Sequence, residues 1–192
     1  MNTQTILIMV STLLALISPF IYAKAILNGE AQPHRTTRIV LLINTILATT
    51  SLYAQHDTVA IWLAGVSTIQ SIFIFLLSIK YGMGGWAKLD LSCLFIAAIG
   101  IVLWRTTNNP AIALYSSILA DFVGMVPTLV KTYKKPNSEI WQFFTIDTIV
   151  GLLSLLAVQT WTLASVSYPL YIMIINMAVA LLVVRPIKAL KK

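Results

Sequence analysis

Ser18-Pro19-Phe20-Ile21-Tyr22-Ala23-Lys24 and Val126-Pro127-Thr128-Leu129-Val130-Lys131 are two copies of one pattern, and the chain is organised around them. Each sets a proline near the end of an apolar run, with a lysine five or four residues further on. Each leads into a loop carrying another proline, Pro33 or Pro136, just before the next run. Eleven residues beyond that proline stand Asn44 and Asp147, each in the middle of an apolar stretch. The run after that carries one amide, Gln70 or Asn176, about ten residues before a basic terminator, Lys80 or Arg185. Proline, amide and cation recur in the same order, which marks an internal repeat.

Seven runs approach the ~20 apolar residues that a membrane-crossing helix needs. They lie near Gln4–Tyr22, Arg38–Ala54, Val59–Ile79, Leu89–Leu103, Pro110–Val130, Ile140–Val158 and Val166–Val184, the second and fourth being short. Turn chemistry separates them: Asn28-Gly29, Gly82-Met83-Gly84-Gly85, Asn108-Asn109-Pro110 and Lys134-Lys135-Pro136-Asn137. Hydrophobic residues make up 58% of the 192 residues and charged residues 10%. Ordinary soluble domains have roughly 45–50% and about 25%, so the excess apolar surface is expected to face lipid. Runs one to three match runs five to seven in the same orientation. A unit of three helices ends on the side opposite its start, so parallel copies need an odd linker helix between them. The division expected is residues 1–84, a linker at 85–109, and 110–192. The fold class is therefore an all-α membrane protein, with seven transmembrane helices in a 3+1+3 layout.

Charge placement agrees with that count. Lys24, Arg35 and Arg38; Lys80 and Lys88; Lys131, Lys134 and Lys135; and Arg185, Lys188, Lys191 and Lys192 all fall on one side, leaving only Arg105 of the thirteen basic residues on the other. By the positive-inside rule the N-terminus lies outside and the C-terminus in the cytoplasm. The net charge of +7 is thus topological. Its short groups do not form the basic stripe that nucleic acid requires. Met1 to Gln4 carry no Lys or Arg, so a cleaved signal peptide is not expected. Cys93 has no partner cysteine for a disulfide.

The segment from Val126-Pro127 through Lys134-Lys135-Pro136-Asn137-Ser138-Glu139 resembles the signature of the SWEET, MtN3 and PQ-loop transporter superfamily. There a proline-containing helix end leads into a basic loop and then Ser-Glu-like residues. Ser18-Pro19 through Pro33 looks like a longer, weaker copy. The glutamine of the proline–glutamine pair is missing, since Phe20 and Thr128 stand in its place, so the chain resembles a divergent member. The resemblance implies a SWEET-like parallel-repeat fold, a cavity between the triplets, alternating access aided by helix prolines, and pocket side chains on the second, third, sixth and seventh helices. SWEETs are among the parallel-repeat transporters.

A carboxylate at the bilayer centre costs about 2.5–3.5 kcal/mol on insertion scales, and such groups usually face a bundle interior or a wet cavity. Asn44, Gln70, Asp147 and Asn176 are the expected substrate-binding residues, because they share one depth on four helices. Amides both donate and accept, which suits hydroxyl-rich or amino-acid solutes. The plainer reading is that they hydrogen-bond neighbouring helices. Asp121, without an acidic counterpart in the first repeat, and Asp147 are the proton-coupling candidates. Pro19 and Pro127 are the candidate hinges, since each removes a backbone hydrogen bond; the alternative is that they end their helices. The tryptophans, Trp62 the exception, read as interfacial anchors.

No catalytic constellation, cofactor or metal site is expected. His34 and His56 fall in loops on opposite sides, and Gly82-Met83-Gly84-Gly85 lacks the lysine of a phosphate-binding loop. The expected function is transport of a small polar solute, first a sugar, by alternating access through a midplane cavity. The alternatives are a proton-coupled carrier of amino acids or other small solutes, and a non-transporting receptor or scaffold of the same fold. The solute and the lipid bilayer are the expected partners, and a homo-oligomer is compatible with the layout. Short loops point to a prokaryotic plasma membrane.

Overall fold

Where a helix is apolar on every face, its ends are where the sequence shapes the backbone most visibly. The computed structural model describes residues 3–54, 60–107 and 110–185. Within them the chain forms seven α-helices: α1 (Thr3–Leu27), α2 (Arg35–Ala54), α3 (Ala60–Tyr81), α4 (Lys88–Thr106), α5 (Pro110–Lys134), α6 (Trp141–Leu156) and α7 (Leu163–Val184). A 3-10 turn at Pro136–Ser138 precedes α6, and no strand occurs among the described residues. The Asn28-Gly29 turn closes α1 as a Schellman motif. Gly29 sits at φ +76°, its N–H donates to the Ile26 carbonyl at 3.1 Å, and the Glu30 N–H donates to the Ala25 carbonyl at 2.9 Å. Asp90 starts α4 by accepting the Gly85 and Ala87 N–H groups at 2.9 and 3.0 Å. Thr162 and Ser165 form a capping box at the start of α7.

Two expectations are corrected here. The helix running through Gln4–Tyr22 continues to Leu27, because Tyr22, Ala23, Ala25 and Ile26 are buried against other elements. Pro19 and Pro127 are internal to α1 and α5 and end neither helix. Expectations resting on His56, on the Asn108-Asn109 turn, on Lys188, Lys191 and Lys192, and on the side chains of Trp62 and Trp104 lie outside the described residues. Trp86, Trp141 and Trp161 are exposed and stand at or just before helix starts.

The helices pack in a closed circuit. α3 packs on both α1 and α2, and α7 packs on both α5 and α6. The two groups meet along α1 against α6 and along α2 against α5, while α4 lies on α5 and α2. Glycines set the closest approaches. A Cβ on Gly151 would stand 2.6 Å from the Met173 backbone nitrogen, and one on Gly124 would stand 2.6 Å from Val40 Cγ1. At the core, Tyr22 stacks on Phe143 with ring centroids 4.3 Å apart, and Phe143 meets Phe144 edge-on at 4.9 Å.

Large apolar side chains cover the outside. Phe20, Ile69, Phe95 and Leu181 are each at least 60% exposed. Among the described residues three helical stretches, Thr3–Leu27, Leu114–Lys134 and Leu163–Val184, are long and apolar enough to cross a membrane; Gly65–Tyr81 and Trp141–Leu156 are apolar but shorter. This is compatible with a membrane protein, since apolar patches beyond a few hundred Å² are rare on soluble monomers.

The loop before α2 zips to the loop after α3. Met83 N–H donates to the Pro33 carbonyl at 3.0 Å and Arg35 N–H to the Met83 carbonyl at 3.1 Å. Arg35 also caps α3, donating to the Ser78 and Ile79 carbonyls. His34 is buried here, its Nε2 3.4 Å from Asp90 Oδ1. Burial holds the imidazole below the ordinary histidine value; Asp90 opposes this, while Lys131 and Arg35 add to it. The folded chain therefore binds a proton at His34 less readily than the unfolded chain.

Two outcomes follow from these contacts. Gly151→Ala lowers stability by about 1–3 kcal/mol, because the obstacle is backbone and cannot swing away; thermal melts in detergent check this. As pH falls below about 6.5, the unfolded chain gains its His34 proton first, so stability drops. Melts between about pH 7.5 and 5.5 should show a flatter slope for His34→Gln. A rise in stability on acidification that His34→Gln abolishes would instead mean that the Asp90 attraction dominates.

Candidate functional site

The polar residues of six helices converge on a central cavity with two lobes. One lobe, about 330 Å³, is walled by α1, α2, α3, α6 and α7. The other, about 540 Å³, is walled by α2, α3, α5, α6 and α7. Arg38, Ser71, Phe143, Asp147 and Tyr168 line both, so the lobes are parts of one space. α4 contributes no described lining residue. Helical spacing explains the wall from α6: Phe143, Asp147, Val150 and Ser154 recur at intervals of three or four, and Gly151 lies four beyond Asp147 on the same face.

Gln70 lines the smaller lobe, Asn44, Asp121 and Asn176 line the larger, and Asp147 lines both. Part of their hydrogen-bonding capacity is turned to the bundle itself. Gln70 Nε2 donates to the Leu16 carbonyl of α1 at 3.0 Å, and Asn176 Nδ2 donates to the Ile172 carbonyl one turn back at 2.9 Å. Asn44 Oδ1 is buried with no partner. The two carboxylates are served by hydroxyls: Ser18 Oγ donates to Asp147 Oδ1 at 2.5 Å, and Tyr171 Oη donates to Asp121 Oδ2 at 2.5 Å. Asp121, which has no acidic counterpart in the first repeat, thus has a partner on α7.

The bundle surrounds the cavity with contacts that sequence reading missed. Arg38, counted above as a topology cation, lies over the Tyr22 ring at 4.6 Å from its centroid and reaches the Phe143 ring at 5.8 Å. Beneath it, Tyr22 Oη donates to both Glu139 oxygens, at 2.8 and 3.0 Å, and Lys131 pairs with Glu139. Lys131 Nζ also donates to the Gln32 carbonyl at 2.6 Å. Thr37 Oγ1 donates to the Gly124 carbonyl at 2.7 Å, and Thr128 Oγ1 donates to Thr37 at 2.8 Å. This network ties the loop before α2 to the loop before α6. One signal in the sequence could have found Arg38: Leu41 and Thr45 follow it at three and seven residues, on the same helical face.

The arrangement offers hydrogen-bond donors and acceptors and charge of both signs. Among the described residues no group of three or more His, Cys, Asp or Glu side chains is placed to hold a metal ion. No protein-family model matches the chain, and no curated protein and no solved structure matches it.

Lys131 and Glu139 are both buried, with side-chain exposures of 4% and 0%. Removing one partner of such a pair leaves an uncompensated buried charge, at a cost of about 3–5 kcal/mol. Lys131→Met alone should lower stability by that order, and adding Glu139→Gln should restore part of it. Thermal melts of the two variants check the expectation.

Proposed function

We propose that this chain is a membrane transporter that moves a small polar solute through the central cavity by alternating access. The observation that carries the reading is the cavity itself, a space lined with polar and charged groups inside a bundle whose outer surface is apolar. Buried polar groups that converge on a cavity, in such a setting, usually mark a solute path.

The packing circuit supports the 3+1+3 reading with α4 as linker. Replacing α1, α2 and α3 by α5, α6 and α7 turns each contact among these six helices into another that occurs: α1–α3 into α5–α7, α2–α3 into α6–α7, and α1–α6 into α5–α2. Likeness to the SWEET and PQ-loop superfamily is proposed on the same ground, together with seven membrane spans, an outside N-terminus and a plasma-membrane location. The hydroxyls beside the candidate hinges cross the boundary between the halves. Ser18, before Pro19, bonds Asp147 of α6, and Thr128, after Pro127, bonds Thr37 of α2. A bend at either proline would move these contacts directly. The Lys131–Glu139 network would close the cavity on the side of those loops, the cytoplasmic side by the charge rule.

The lining favours a charged solute over the neutral sugar first expected, because Arg38, Asp121 and Asp147 all face the space. Uptake of a mixed solute library into proteoliposomes, with and without an inward proton gradient, tests the reading. At least one small polar solute should enter. If an aspartate exchanges protons, accumulation should require the gradient, and Asp147→Asn or Asp121→Asn should remove the pH dependence of uptake. Folded protein that admits nothing would sink the transport reading in favour of a receptor or scaffold.

A further inference from the structure

Arg38 is the one cation among the described residues that lines the cavity. Its guanidinium is in no ion pair among the described residues, and its Nε is buried without a hydrogen-bond partner. The acids that could have paired with it are otherwise engaged. Ser18 holds Asp147, Tyr171 holds Asp121, and Glu139 is taken by Lys131 and Tyr22. Arg38 is half-buried at the cavity wall, and three acids nearby leave it without a contact pair.

The aromatic rings orient it. The guanidinium lies over Tyr22 and beside Phe143, and its Nε–H, without a hydrogen-bond partner, is left to meet a planar acceptor. Two parallel N–H···O bonds to a carboxylate are the geometry that this fork matches best. Asp147 lines both lobes beside Arg38, and Asp121 lines the larger one, so acceptors for a cationic group stand across the same space. Lobes of about 330 and 540 Å³ are of the size of small-molecule sites.

We infer that Arg38 is the docking site for a carboxylate, and that the solute is a compact zwitterion of the amino-acid class. Its carboxylate sits on the Arg38 fork and its ammonium faces Asp147 or Asp121. For movement of the solute the inference rests on the transport reading; for binding it stands alone.

Binding is therefore measured first, apart from flux. Purified protein in detergent is melted with each proteinogenic amino acid, with its methyl ester, and with the amine lacking the carboxyl. At least one amino acid should raise Tm while its ester and amine do not. Arg38→Gln should weaken the Kd of that amino acid about tenfold or more and erase the preference for acid over ester. Arg38→Lys should keep part of it. No stabilisation by any amino acid, equal binding of acid and ester, or an unchanged preference in Arg38→Gln would overturn the inference. If Arg38→Gln does not fold, the acid-against-ester comparison in the unaltered chain decides. Binding with no flux would remove the transport reading and leave the site, whereas flux of a sugar with no amino-acid binding would do the reverse.

Discussion

The cluster around the buried Lys131–Glu139 pair ties α1 and the loop before α2 to the end of α5 and the loop before α6. Lys131 comes from the last turns of α5 and Glu139 from the loop before α6, while Tyr22 of α1 and the Gln32 carbonyl complete the cluster. Neither charge has access to water, so each is tolerable only through the other. That requirement sets where the loops before α2 and α6 lie, and with them the floor on which Tyr22, Phe143 and Arg38 stack. Were the pair replaced by apolar residues of similar volume, the bundle could keep its helices and lose the fixed geometry of its cavity.

Above that floor the rule is different. Asp147 and Asp121 are held by hydroxyl donors, with no cation in contact. Such bonds satisfy part of a carboxylate's capacity without locking it into an ion pair, leaving oxygens able to respond to whatever enters. Arg38 is the complement, a cation positioned by aromatic faces. The pairing is thus firm at the loop end of the bundle and loose in its middle.

Much of the helical layout was legible in the sequence. Long apolar runs have little choice but helix, and the Asn28-Gly29 turn closes α1 where glycine alone accepts a positive φ cheaply. Asn44, Gln70, Asp121, Asp147 and Asn176 stood out as polar residues in apolar runs, and all five line the cavity. Arg38 and Lys131 did not stand out, because a cation near the end of an apolar run reads as topology. Their burial comes from the close approach of α1 to α6 and of α2 to α5, which no spacing along one helix reveals. The ends were misjudged for a related reason: α1 continues past its apolar run because Tyr22 and Ile26 are covered by other elements.

By itself the sequence determined which stretches become helices, where glycine and capping residues end them, and the recurrence of one proline–amide–cation pattern. These are local matters, since a helix satisfies its backbone with carbonyls four residues away. The tertiary structure alone decided which polar groups meet. Ser18 and Asp147 are 129 residues apart, Tyr22 and Glu139 117, and Tyr171 and Asp121 50. A contact across such a separation depends on how helices cross, and side chains of similar size allow many crossings until packing and the pairing of buried charge select one.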